Sequence, residues 1–216
     1  LRLNEMITHG SEIDATKTAD TSGNFNTGFL ENGAKFPVEY NAVDKNAGAV
    51  GQAIYFSEKG RVRGATSAST KAFPNGITVQ LWVKRLVDMT ANGQNNYRYL
   101  ISKNGQFDMI LEAGGAVSST VLVNGQPRRL TFAGPNMPLN EWHHVAFTYN
   151  PNDGAMKYYY DGHYVTEQVF GAGALAQSST DIVIGPAGVL PSAPVVPEGQ
   201  AIFMLDDVAV SNIPRS

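Results

Sequence analysis

The sequence predicts an all-β fold of antiparallel strands on three observations: period-two alternation dominates the chain, sustained helical spacing is almost absent, and glycine-bearing turns recur between the alternating runs. In Ile77-Thr78-Val79-Gln80-Leu81-Trp82-Val83-Lys84 the aliphatics Ile77, Val79, Leu81 and Val83 share one face, which is expected to be core. Further strands are expected, from alternation or from β-branched and aromatic enrichment, over 52–57, 97–102, 106–112, 118–123, 128–133, 142–149, 155–160, 164–170, 181–185 and 201–210.

Between these runs stand Asn75-Gly76, Asn104-Gly105, Gly114-Gly115, Asn124-Gly125, Asp153-Gly154 and Asp161-Gly162. Such pairs reach positive φ at little cost and close hairpins. The strongest hairpin signal is Lys157-Tyr158-Tyr159-Tyr160 running through Asp161-Gly162 into His163-Tyr164-Val165-Thr166. Residues 186–199 carry Pro186, Pro191, Pro194 and Pro197, which cannot donate regular ladder bonds, and are expected to form a long surface loop before the last strand. Residues 85–96 form a second, polar loop. Residues 1–7 admit a reading as the end of a helix. No charged-then-apolar leader precedes Leu1, as expected if a signal segment has been removed or the segment was cut from a longer protein.

The 216 residues suit one β domain, and 43% hydrophobic against 16% charged residues supplies a sizeable core without a disorder signature. Net charge is −3 and the basic residues are scattered apart from pairs such as Lys84-Arg85 and Arg128-Arg129, which argues against nucleic acid as a partner. With no cysteine there is neither a disulfide framework nor a thiol nucleophile. No apolar run approaches the roughly 20 residues that cross a bilayer as a helix, so membrane insertion is not expected.

Several segments, in order, carry a family pattern: Asp20-Thr21-Ser22-Gly23-Asn24-Phe25-Asn26-Thr27-Gly28, Leu81-Trp82-Val83 within strand 77–84, Asn140-Glu141-Trp142-His143-His144-Val145-Ala146-Phe147-Thr148-Tyr149, Tyr158-Tyr159-Tyr160-Asp161-Gly162, and Met204-Leu205-Asp206-Asp207-Val208-Ala209-Val210. The chain resembles the laminin G-like, concanavalin A-like lectin/glucanase jelly rolls from about residue 20 to residue 213. The resemblance implies a two-sheet antiparallel β-sandwich. It also divides the chain into an N-terminal extension, 1–19, and a single jelly-roll domain, 20–216. That superfamily holds lectins, carbohydrate-binding modules, adhesion domains and glycan-cleaving enzymes, and fold alone does not choose among them.

The oxygen-rich loop at Asp20, Asn24 and Asn26 suits a hard cation such as calcium, though an Asx turn would use the same residues. The resemblance brings Asp206 near it as a second carboxylate, so a structural Ca2+ on Asp20, Asn24, Asn26 and Asp206 is expected. His143 and His144 are adjacent on a strand, point to opposite faces and cannot share a metal; one of them is expected to be a hydrogen-bonded structural residue. Glu12-Ile13-Asp14 invites comparison with the alternating carboxylates of the family's hydrolases, but Ala15, Thr16, Lys17 and Thr18 follow where another Glu is required.

With no nucleophile elbow, phosphate loop or His-Glu-x-x-His, the chain is expected not to be an enzyme. Aromatics remain as a handle for sugar: Tyr97 with Tyr99, Tyr158 with Tyr160, and Trp82 pointing away from the aliphatic face, with the polar loop 85–96 as a rim. Each can equally be core filling. The expected role is a carbohydrate-binding, lectin-like module of a secreted or cell-surface protein, the alternative a protein-adhesion or structural domain of an extracellular assembly.

Overall fold

The computed structural model describes residues 2–9, 12–22, 24, 26–36, 53–89, 97–132, 136–186 and 201–215. In chain order the elements are β1 (Arg2–His9), β2 (Glu12–Asp20), β3 (Gly28–Glu31), β4 (Ile54–Ser57), β5 (Arg61–Gly64), a helical turn α1 (Ala68–Lys71), β6 (Ile77–Arg85), β7 (Arg98–Lys103), β8 (Phe107–Leu111), β9 (Val117–Val123), β10 (Gln126–Phe132), β11 (Trp142–Tyr149), β12 (Ala155–Tyr160), β13 (His163–Val169), β14 (Ile182–Ile184) and β15 (Ala201–Ser211). Pairing runs β10-β9-β8-β7-β14-β5-β3 on one side and β15-β6-β11-β12-β13 on the other, with β2 and β1 linking β3 to β15 and β4 lying beside β15. The two antiparallel sheets stack as a sandwich.

Alternation decides which side chains face inward. Val79, Leu81 and Val83 of β6 and Val145, Phe147 and Tyr149 of β11 are fully buried, as are Leu100, Met109 and Val121 from the facing sheet. Each such aliphatic or aromatic side chain contributes about 1.5–3 kcal/mol by leaving water. Rings close the interior: across the sheets Phe132 stacks on Tyr158 at 5.3 Å, and within one sheet Phe56 of β4 lies 5.5 Å from its partner Phe203 of β15. Tyr158, one of the aromatics considered for sugar contact, is therefore core, while Tyr160 is half-buried against Phe132.

The hairpins follow the turn chemistry. Asp161 and Gly162 have φ of 49° and 77°, and Asn124 and Gly125 have 50° and 76°, so both two-residue loops use the doubly positive conformation that matches strand twist. β15 changes neighbours midway, pairing with β4 through Leu205↔Ile54 and with β1 through Val208↔Leu3. A bulge at the changeover shifts its register against β6 between Asp206 and Ala209, with Asp207 at φ 47°.

Residues 2–9 form a strand, which corrects the helical-end reading of 1–7. β2, β3, β5 and α1 were not foreseen. Arg61-Val62-Arg63-Gly64 buries only Val62 and Gly64 and shows arginines on its other face, so its strand signal is hidden by charge. The polar loop begins after Arg85, and its residues 90–96, like 187–200 of the proline-rich segment, lie outside the described residues. Among the described residues no helix is long and apolar enough to cross a membrane.

Candidate functional site: a cleft across the outer face of one sheet

The outer face of β9, β8, β7, β14 and β5 holds a cleft of about 600 Å³ lined by Tyr99, Ser102, Lys103, Asp108, Thr120, Asp181, Val183, Arg61 and Arg63 among others. Strand register explains its shape. Thr120 pairs with Asp108, Asp108 with Ser102, Ser102 with Val183, Val183 with Arg63, and Arg63 with Phe29, giving one continuous row across six strands. Small side chains, Ser102 and Val183, occupy the middle of the row and larger ones its ends, which leaves a trough. From Asp108 to Arg63 the row covers three interstrand steps, about 14 Å at roughly 4.8 Å each.

One end is cationic and rigidly held. Arg61 Nε donates to Glu31 at 2.7 Å and Arg63 Nε to the same carboxylate at 2.9 Å, while Arg63 Nη1 donates to Asp181 at 3.2 Å. Hydrogen bonds from Arg63 and Arg61 hold Glu31 below its ordinary pKa; Asp181 is lowered chiefly by the backbone N–H of Thr66 and then by Arg63. The Arg63 guanidinium also lies 5.6 Å above the Phe29 ring. Below this end Lys103, 1% exposed, donates to Thr66 Oγ1 at 3.2 Å and to the Thr180 carbonyl. Burial lowers its pKa, opposed by Asp181.

The other end is acidic and aromatic. Asp108 accepts the Thr120 backbone N–H at 3.2 Å, and burial raises its carboxyl above the usual range despite that bond. Burial also raises the Tyr99 hydroxyl, with Asp108 and then Tyr97 adding to the shift. Tyr99 packs edge-to-face on Tyr97 at 6.0 Å. The cleft thus offers a ring, an acceptor and a hydroxyl at one end and guanidinium donors at the other. Such a set suits a polyhydroxylated ligand.

The expected calcium ligands are placed as follows. Asp20 accepts the Ser22 N–H at 2.9 Å through one oxygen, and the backbone and side-chain amides of Asn26 at 3.0 and 2.9 Å through the other. Asn26 also donates to Ser69 Oγ, and Asn24 bonds Ser22 Oγ. These bonds make the loop an Asx-type turn braced against α1. Asp206 lies on β15, across the single strand β1 from Asp20: Asp20 pairs with Leu3, and Leu3 with Val208, two residues beyond Asp206. Asp206 is 2% exposed and accepts the Asp207 N–H at 2.8 Å.

His143 and His144 face opposite ways. His143 Nδ1 meets Asp161 Oδ2 at 2.9 Å, and its ring stacks on Tyr160, so this histidine braces the β12–β13 turn. His144 packs edge-on against Trp82 at 5.4 Å on the outer face of the other sheet, and burial lowers its pKa. Glu12 and Asp14 lie in β2, their side chains outside the described residues. Of the aromatics considered for sugar contact, Tyr99 alone lines this cleft. Sequence reasoning missed Arg61, Arg63, Asp108 and Asp181, although the Arg-x-Arg spacing puts both arginines on one face.

A family model described as the concanavalin A-like lectin/glucanases superfamily, of laminin G type, matches residues 59–216. Comparison with curated proteins returns no match. Among solved structures, the botulinum neurotoxin serotype D binding domain is 17% identical at a TM-score of 0.64, over 92% of this chain and 46% of that one. The receptor binding domain of botulinum neurotoxin D is 17% identical at 0.64, over 100% and 50%. The binding domain of botulinum neurotoxin DC in complex with SialylT is 12% identical at 0.65, over 100% and 48%. The chain spans about half the length of these structures, and at such identities the likeness is one of fold. With its sandwich and a family match over most of its length, the chain belongs to the concanavalin A-like lectin/glucanase superfamily.

Proposed function

We propose that the chain is a non-catalytic, carbohydrate-binding module of a secreted or cell-surface protein, and that the cleft between Arg63 and Asp108 is its ligand site. The observation that carries this reading is the row itself: a trough of small side chains across the sheet, ending in Tyr99 and Asp108 on one side and two fixed arginines on the other. Sugars offer apolar ring faces to aromatics and hydroxyls that both donate and accept, and this row supplies all three partners. One structural neighbour, the binding domain of botulinum neurotoxin DC, is in complex with SialylT, which fits a binding role.

Glycan-array screening tests it. Binding to a defined glycan class is expected, with the signal falling at least tenfold in Tyr99→Ala and no new reducing ends released from the bound glycan. Silence across plant, algal and animal glycans would remove the reading. A second reading, a protein-adhesion domain, is favoured by β13, where Tyr164, Val165 and Val169 are 55%, 38% and 60% exposed on the strand that ends the pairing path. A structural calcium on Asp20, Asn24, Asn26 and Asp206 is a separate proposal. It requires the ion to displace the Asn26 amide from Asp20, and calorimetric titration of chelator-treated protein reads it directly.

A further inference from the structure

We infer that the cleft takes an oligosaccharide with one carboxylate-bearing ring followed by neutral rings, the carboxylate lying at the Arg61–Arg63 end. This rests on the glycan reading of the cleft and names its ligand class.

The donor geometry of the cationic end carries the inference. Arg61 and Arg63 are linked to Glu31 and Asp181 through contacts of 2.7, 2.9 and 3.2 Å. Arg61, Arg63 and Lys103 line that end of the cleft with Asp181, and Glu31 holds both arginines. Glu31 engages the Nε atom of both arginines and Asp181 takes Nη1 of Arg63, which leaves the terminal nitrogens of Arg61 and Nη2 of Arg63 for a ligand. A guanidinium already fixed by a carboxylate loses little rotamer freedom on binding, and its planar donors match a second carboxylate.

Polarity reverses at the other end of the row. Asp108 is an acceptor beside the Tyr99 ring, about 14 Å from Arg63 by the strand count. A carboxylate on every ring would bring like charge against Asp108, which disfavours polyanionic chains. A neutral chain leaves the terminal guanidinium donors without a charged acceptor. One acidic ring at one end satisfies both halves.

The test compares two tetrasaccharides of the same shape: glucuronosyl-xylotriose, and the same molecule with its carboxylate methyl-esterified. By calorimetry at low salt the acid is expected to bind at least tenfold more tightly than the ester. That ratio should shrink in roughly 0.5 M sodium chloride, since half-exposed charges are screened. In Arg63→Gln and Arg61→Gln, checked for an intact melting transition, the ratio falls towards one. Ser102→Trp, which fills the middle of the trough, abolishes binding of both sugars. Equal binding of acid and ester overturns the inference and leaves the glycan reading standing. Binding of neither also overturns it, and only silence on the array takes the glycan reading down as well.

Discussion

Asp108 shows how a site residue can oppose the fold that holds it. Its carboxyl is raised above the ordinary 3.8 mainly by burial, so the folded chain binds its proton more tightly than the unfolded chain. Stability from this group therefore falls as pH rises from 3.8 through the folded value, and the cost persists at neutral pH. Glu31 and Asp181 have the opposite sign: their lowered values add stability above the ordinary carboxylate range that is lost on acidification. Asp108→Asn keeps an acceptor for the Thr120 N–H and removes the buried charge. It is expected to melt a few degrees higher at pH 7, for a gain on the order of 1 kcal/mol, and to match the native chain at about pH 3. Differential scanning calorimetry at the two pH values checks this; a lower melting temperature at neutral pH would show that the ionised carboxylate is better solvated than its burial implies.

At the scale of elements, two glycines separate backbone strain from crowding. Gly162 has φ 77° with open space where a Cβ would stand, whereas the Cβ position of Gly154, at φ 73°, falls 2.0 Å from the Gly171 carbonyl oxygen. Gly162→Ala is thus expected to cost about 1 kcal/mol, the left-handed penalty alone. Gly154→Ala forces apart two backbone segments joined by the Phe170 N–H to Gly154 carbonyl bond, and is expected to cost several times as much. Urea titration of the two variants gives the comparison. The same hairpins mark what the sequence made legible. Asp161-Gly162 and the β6 alternation are local signals, so the central strands and their inward faces could be read directly. The cleft could not, because its row joins Phe29, Arg63, Val183, Ser102, Asp108 and Thr120, residues brought together only by pairing register. Asp20 was legible as an oxygen-rich turn, but whether its oxygens bind the loop or an ion depends on where the Asn26 amide points.

Across the whole molecule, β1 is the strand through which the pairing path passes from one sheet to the other. It pairs with β2 through Leu3↔Asp20 and with β15 through Leu3↔Val208, so it carries ladder bonds on both edges. Removing residues 1–11 would leave β2 without one neighbour and uncover the second half of β15, beside the Asp207 bulge. Ladder bonds contribute about 0.5–1.5 kcal/mol each, so a loss of a few of them amounts to roughly 3 kcal/mol, or about 6–12 °C at this chain length. The shortened chain is expected to melt that much lower and to self-associate through the bared β15 edge, as unprotected edges do. Its cleft, built from β5, β7, β8, β9 and β14, should still bind the glycan found on the array. Light scattering, a thermal melt and a binding titration on one preparation separate the outcomes. An unchanged melting temperature would mean that β1 adds nothing to the stability of the fold, while loss of glycan binding at a temperature where the chain remains folded would tie the cleft to the far sheet.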